Sequence, residues 1–358
     1  MLSILILMIL NLIIKCVNMR VIFCLCIAIQ LCLSVIGQTH FGVMAYNCEN
    51  AFDTLHDVGF DDYEFLPDGK RTWKRWKFYD KIRNIARVIL ATDSIQPVDI
   101  ISLSEIENDT VMSYLTKRTF LARLGYKYVT TNSGDSRGLD VAVMYMPYTF
   151  RMFESQTIRT INNENTRDIL RVSGKLITGD TLDVFALHLP SKLGGRKAER
   201  VRANIVRDMR ICIDSLFGVR HTPNIIVLGD FNSEARTNLI SKILGVKDFC
   251  ADDEKVEQNK LYLMANKPSN GYGTYKYKGV WNNIDHIFIS GAMLNSDNSI
   301  STIPSWYKVI DLPFLLEDDT ADRSLKPKRS FLGPFYRGGF SDHLPVYMKF
   351  KYTIDDKE

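Results

Sequence analysis

Hydrophobic positions along this chain recur with two different periods. Between Lys77 and Leu90, Phe78, Ile82, Ile85, Ala86 and Ile89 return every three or four residues with Lys and Arg opposite, which predicts a helix packed on a sheet. Residues 196–217 repeat the pattern with Val201, Ile205, Met209, Cys212, Ile213 and Leu216 in line, and the Arg and Lys residues of that stretch read as a solvated face. Shorter apolar runs bounded by turn residues predict strands at 43–47, 99–104, 126–131, 139–146, 182–188, 224–229, 284–290 and 344–352. Strands that alternate with helices indicate an α/β architecture. The 311–340 stretch, with Pro313, Pro327, Pro334 and several charges, reads as a long loop and a candidate wall for a substrate.

The amino terminus follows neither period. Residues 2–14 and 21–36 are strongly apolar, separated by Lys15, Met19 and Arg20, and Val35-Ile36-Gly37 precedes Gln38. From Met19 onward this reads as a signal peptide, with Met19 a candidate start, so export is the expectation for a mature chain 38–358. The alternative is an N-terminal membrane anchor or hairpin, although each run falls short of the roughly 20 residues that span comfortably. No stable span is expected in the mature chain. Cys32 follows Gln30-Leu31 rather than the small residues of a lipoprotein signal.

Composition bounds the remainder. Removing 37 leader residues from 358 leaves 321, and 46% of the whole chain is hydrophobic, ample for one large domain. No internal repeat or linker divides it. Net charge is +4; Lys15 and Arg20 supply two of these charges in an acid-free leader, so +2 remains and there is no strong basic field. Beyond the leader only Cys48, Cys212 and Cys250 occur, too few and too scattered for a disulfide framework. Trp73 and Trp76 stand among Lys70, Arg71, Lys74, Arg75 and Lys77, a mixture that could stack a base or sugar but more simply covers a helix end.

Candidate chemistry gathers where the predicted strands stop. Val43–Tyr46 leads into Asn47, Asp99–Leu103 into Ser104-Glu105, and Leu182–Leu187 into His188. The run Asn224–Leu228 leads into Gly229-Asp230-Phe231-Asn232, Asp285 opens Asp285–Ile289, and Ser341-Asp342-His343 precedes the last strand. Asp230 and Asn232 lie two apart, so period-two alternation would aim both to one side. Loops at one edge of a sheet are where α/β proteins assemble sites, and convergence of these six segments is the economical reading.

The ordered set resembles the endonuclease/exonuclease/phosphatase superfamily over about Val43 to Phe350. Asn47 resembles its first-strand Asn, Glu105 its metal carboxylate, with Ser104 where Gln is usual, and His188 the DNase I-like His. Asp230 and Asn232 resemble its Gly-Asp-x-Asn element, Asp285 its penultimate-strand Asp, and Asp342-His343 its closing Ser-Asp-His. The resemblance implies a four-layer α/β/β/α sandwich of two mixed sheets flanked by helices, and a metal-dependent phosphoesterase, foremost an exported DNase I-like endonuclease. Alternatives are a phosphatase or phospholipase-type esterase acting on lipid or sugar phosphates, and a non-catalytic binding protein.

The expected roles follow from the residue types. Glu105, Asn47 and Asp342 offer hard oxygen ligands for Mg²⁺, with Mn²⁺ or Ca²⁺ as substitutes. Asp285 orients His343, Asp230 or His343 serves as base, and Asn232 and His188 contact phosphoryl oxygens. Arg137 stands at about the position of a phosphate-contacting arginine in DNase I-like enzymes, and Lys192 follows His188 closely enough to meet a phosphate. Nucleic acid or another phosphate ester is the expected partner, with no obligate protein partner implied.

Overall fold

The computed structural model describes residues 40–160, 166–249, 256–264 and 271–353. The leader through Gly37 therefore lies outside the described residues, as does Cys250.

Eight strands appear in succession: β1 (His40–Ala51), β2 (Ile100–Ile106), β3 (Lys127–Thr130), β4 (Asp140–Tyr145), β5 (Phe150–Ile158), β6 (Ile169–Leu176), β7 (Thr181–His188) and β8 (Asn224–Asp230). Longer helices are α1 (Arg75–Thr92), α2 (Asp109–Lys117) and α3 (Gly195–Val219). One seven-stranded sheet runs Ile300–Ser301, Val346–Tyr352, β1, β2, β4, β3, and Tyr307–Val309 also pairs with Val346–Tyr352. The second runs β5, β6, β7, β8, Asp285–Ser290, Leu261–Leu263, Val246–Asp248.

Alternation along the strands explains why the sheets stack face to face. Val43 and Ala45 of β1 point to the same core as Val184 and Ala186 of β7 and Ile226 and Leu228 of β8. Their neighbours Met44 and Tyr46 face Ile82, Ile85 and Ile89 of α1, while Ile225 and Val227 face Ile205, Met209 and Ile213 of α3. Strands covered on both sides read as unbroken apolar runs, as Ile225-Ile226-Val227-Leu228 does. The layers are thus helix, sheet, sheet, helix, as the resemblance implied. Among the described residues no helix is long and apolar enough to cross a membrane.

Four expectations need correction. β5 and β6 were not anticipated, because β5 is largely exposed and its Arg, Glu, Ser and Gln break any apolar alternation. The stretch 311–340 is no plain loop: it holds two hairpins, Leu316–Asp319 with Ser324–Pro327 and Phe331–Leu332 with Phe335–Tyr336. The basic residues of the helices are not all solvated. Lys81 in α1 is wholly buried, donating to Phe340 O at 2.6 Å and to Ser330 Oγ, and Arg202 in α3 is buried as well. Finally, α2 was not read from periodicity, although Asn108 caps it by accepting from Val111 N at 3.1 Å. The two tryptophans divide: Trp73 is buried before α1 and donates from Nε1 to Phe52 O, whereas Trp76 is exposed.

Strand contact is tightest just before Asp230. Gly229 has φ +138°, and a Cβ there would sit 2.0 Å from the Leu187 carbonyl oxygen of the adjacent strand. Gly229→Ala is therefore expected to lower stability by roughly 3 kcal/mol. A urea midpoint unchanged by this substitution would contradict the close β7–β8 approach.

Candidate active site

Register places the chemistry. In the second sheet His188, Asp230 and Asp285 are direct cross-strand partners, β7 pairing parallel with β8 and β8 antiparallel with Asp285–Ser290. In the first sheet Asn47 pairs with Ser104, one residue before Glu105. Both sheets end on the same cavity, about 460 Å³ in volume, lined by Asn47, Glu105, Arg137, His188, Lys192, Asp230, Asn232, Asp342 and His343. Asp285 is buried behind His343. All ten residues singled out from the sequence thus meet at one place.

The backbone is strained at the irregular ends of β1 and β2 and in the turn after β8. Glu105 has φ 61°, Asn232 φ 47°, Glu49 φ 49° and Asn50 φ 54°, a left-handed region that costs a non-glycine residue on the order of 1 kcal/mol or more. Each strained segment is held by hydrogen bonds. Asn50 N donates to Glu105 Oε2 at 2.7 Å, and Asn232 N to Asp230 Oδ1 at 2.7 Å. Asp230 and Asn232 do share a side, but through this turn rather than through strand alternation. Arg202 braces it from below, its Nη2 donating to the carbonyls of Phe231 and Asn232 at 3.1 Å each and to Ser233 Oγ.

Asp230 is the centre of the polar network. Asn47 Nδ2 donates to its Oδ2 at 3.0 Å, His188 Nε2 lies 3.4 Å from the same atom, and His343 Nε2 lies 3.9 Å away. Burial and then the neighbouring Asp285 charge lift the Asp230 carboxyl to about 7. Burial alone pulls His343 down, but Asp285, Asp230 and Asp342 outweigh it and hold this imidazole well above its ordinary value. His343 Nδ1 bonds to Asp285 Oδ2 at 2.8 Å. His188 is the opposite case: burial, followed by the positive charges of Arg167, His343 and Arg137, holds it well below the usual range and neutral. Two imidazoles facing one carboxylate are thereby shifted in opposite directions.

The donor set suits a hard cation. Glu105, Asp342 and Asp230 present carboxylate oxygens to one cavity, and the nearest thiol, Cys48, packs into the core beneath α1. Asn47 holds these groups rather than facing a cation with its oxygen. Its Nδ2 donates to Glu105 Oε1 at 3.3 Å as well as to Asp230, and its Oδ1 accepts from Glu49 N at 2.9 Å. Asp230, Asp285 and His343 also bring one ligand atom each within 4.8 Å of one another. Because His343 Nδ1 is already bonded to Asp285, that trio is better described as a proton-sharing group.

Several neighbours escaped the sequence reading. Arg167 is buried against the cavity, pairing with Asp135 at 2.9 Å and donating to the His188 carbonyl at 3.1 Å. Tyr275 lays its ring 4.8 Å from that of His343. Arg329, from the segment read as a loop, bonds Asp342 at 3.0 Å and Glu49 at 3.2 Å. Nothing in composition or period marks these residues, since each is brought in by tertiary contact. Ser341 was visible as the first letter of Ser-Asp-His; its Oγ donates to Asn47 O at 2.7 Å and so ties the closing motif to β1.

The fold is the DNase I-like one, two stacked mixed sheets flanked by helices. The Endonuclease/Exonuclease/phosphatase family matches residues 42–352, and the chain belongs to that family, whose members are divalent-metal-dependent hydrolases of phosphate esters. No curated protein sequence matches the chain. Among solved structures it is similar to an endonuclease/exonuclease/phosphatase family protein from Bacteroides thetaiotaomicron (TM-score 0.55, 18% identity, 88% of this chain and 99% of that one). It is also similar to D. rerio TDP2 complexed with single strand DNA product (TM-score 0.54, 15% identity, 88% and 100% covered). A third is a mannosyl-6-phosphatase from Bacteroides thetaiotaomicron (TM-score 0.53, 16% identity, 87% and 100% covered). At these identities the likeness is one of fold.

The Asp285–His343 bond yields a direct expectation. Asp285→Asn removes the charge that keeps His343 protonated, so the His343 titration followed by NMR should move to lower pH, and turnover should fall about 100-fold. An unmoved titration would contradict the pairing.

Proposed function

We propose that this protein is an exported phosphodiesterase of the nuclease type, hydrolysing phosphodiester bonds of nucleic acid outside the cytoplasm with Mg²⁺. The observation that carries the reading is the Asp230 centre, where a buried carboxylate, a neutral imidazole and a carboxylate-paired imidazole converge on one cavity beside the Glu105 carboxylate. Hydrolysis of a phosphate ester requires charge neutralisation, an activated water and a stabilised leaving oxygen.

Glu105 and Asp342 would hold a divalent cation, which when bound would supply the charge neutralisation and a lowered pKa for a water; Mg²⁺ is the ion proposed, and Mn²⁺ or Ca²⁺ would satisfy the same oxygens. Asp230 is the base in this reading, its carboxyl lifted to about 7 by burial and the Asp285 charge, and His343, bonded to Asp285 at 2.8 Å, counters phosphoryl charge. Asn232 and neutral His188 contact the phosphoryl oxygens. Arg137, which donates to Asn50 Oδ1 at 3.1 Å, and the exposed Lys192 flank the entrance and meet the rest of the anion.

A second reading is hydrolysis of a small phosphate monoester such as a sugar phosphate. It is favoured by the modest volume of the cavity, about 460 Å³, and by the absence of a strong net positive charge. Export rests on the apolar run 21–36 after Met19-Arg20, with cleavage after Gly37.

The deciding experiment incubates purified residues 38–358 with plasmid, single-stranded oligonucleotide, RNA and sugar phosphates, with Mg²⁺ or EDTA. Nicking or strand cleavage abolished by EDTA is the expected result; release of inorganic phosphate from the sugar esters without strand cleavage selects the second reading. Glu105→Gln should lower the active reaction by about 100-fold or more, and full activity in EDTA would contradict a metal-dependent site.

A further inference from the structure

The hairpin of Tyr275–Tyr277 and Val280–Asn282 supplies no acid, base or cation ligand, yet its first strand joins the segments that carry Asp285 and His343. Thr274, just before it, is wholly buried. Its Oγ1 accepts from Ile284 N at 3.1 Å and Asp285 N at 3.2 Å, and its carbonyl accepts from Leu344 N at 2.7 Å. Tyr275 then forms an antiparallel bridge with His343 and lays its ring 4.8 Å from the imidazole, at 36° to it. Backbone pairing thus sets where residue 343 stands, while rotation of its side chain is opposed by the Asp285 bond and by this ring.

Alternation sends the next side chain, Lys276, to the other side of the strand. There its Nζ donates to Asp319 Oδ2 at 3.0 Å, to Asp322 Oδ2 at 2.7 Å and to Ser324 Oγ. All three acceptors belong to the hairpin of Leu316–Asp319 and Ser324–Pro327. The Lys276 side chain is only 2% exposed, so these partners rather than water satisfy its ammonium. An ion pair shielded on this scale holds its geometry better than a surface pair, and loss of the cation leaves gathered carboxylates uncompensated.

We propose that Tyr275 is a positioning residue that acts through His343, its ring setting the angle of the imidazole, and that Lys276, fastened to the second hairpin, clamps Tyr275 in place. The inference rests on the phosphoesterase reading and adds to the Asp230 centre two residues that work without touching phosphate. A flat, rigid ring is what the role requires; the phenolic hydroxyl is not. The segment 311–340 thereby serves the site from two directions, through Arg329 on Asp342 and through Asp319 and Asp322 on the clamp.

The test follows hydrolysis of bis(p-nitrophenyl) phosphate and p-nitrophenyl phosphate with Mg²⁺, with a urea midpoint for each variant to show that it is folded. Tyr275→Leu should lower kcat about tenfold or more and change KM by less than about twofold, since the imidazole is misplaced while the anion still binds. Tyr275→Phe, which keeps the ring, should restore most of the loss. Lys276→Met should lower kcat about as much as Tyr275→Leu, and the double variant should fall no further than either alone, because both act through one imidazole. Additive losses, an effect carried by KM, or a Phe variant as slow as the Leu one overturns the clamp while the phosphoesterase reading stands. If Lys276→Met does not fold, Asp322→Asn takes its place under the same criteria. If neither ester is hydrolysed, that reading fails for them, and NMR judges the clamp alone. A slowly exchanging His343 Nδ1 proton in the unmodified protein and in Tyr275→Phe, lost in Tyr275→Leu and in Lys276→Met, supports it; absence of that resonance from the unmodified protein, or its persistence in either of the latter two variants, overturns it.

Discussion

A carboxylate removed from water is the constraint on which this site depends. Asp230 is buried at the end of β8, and an isolated buried charge is strongly unfavourable. Its compensation comes from both sheets: Asn47 from β1 and His343 from the segment before Val346–Tyr352 on one side, His188 from β7 and the Asn232 backbone on the other. The network is therefore complete only when the sheets are packed, and the core of Val43, Ala45, Val184, Ala186, Ile226 and Leu228 is what aligns the acid with its partners.

Precision follows from register more than from loop shape. His188, Asp230 and Asp285 sit opposite one another on three adjacent strands, so hydrogen bonds of the sheet fix their separation before any side chain is placed. Irregular backbone adds what regular pairing cannot supply: left-handed residues at Glu105, in the bulge of β2, and at Asn232, in the turn after β8. Arg202, Asn50 and Arg329 then hold those residues and Asp342 in place.

How legible this was in the chain depends on how local each signal is. The core strands were readable because burial on both faces makes them continuous apolar runs, and α1 and α3 because their apolar stripes keep helical spacing. β5 was not, since an exposed edge strand carries polar residues at most positions. The site residues were readable because Gly-Asp-x-Asn and Ser-Asp-His keep their letters together after strand-like runs. Arg167, Tyr275 and Arg329 stayed hidden because each acts through a partner distant in sequence, as Arg329 does through Glu49, 280 residues away. Lys81 and Arg202 misled for a related reason: a basic residue on a helix looks solvated until the buried acceptors it serves are known.

The central claim is that this cavity gathers its oxygen donors for one hard cation next to a proton-sharing Asp230–Asp285–His343 group. Anomalous diffraction from crystals of the protein soaked in Mn²⁺ tests it most directly. The account predicts a peak bonded to Glu105 and adjacent to Asp342, with the Asp285–His343 hydrogen bond intact. A peak ligated instead by His343 and Asp285, or none within the cavity, would contradict it.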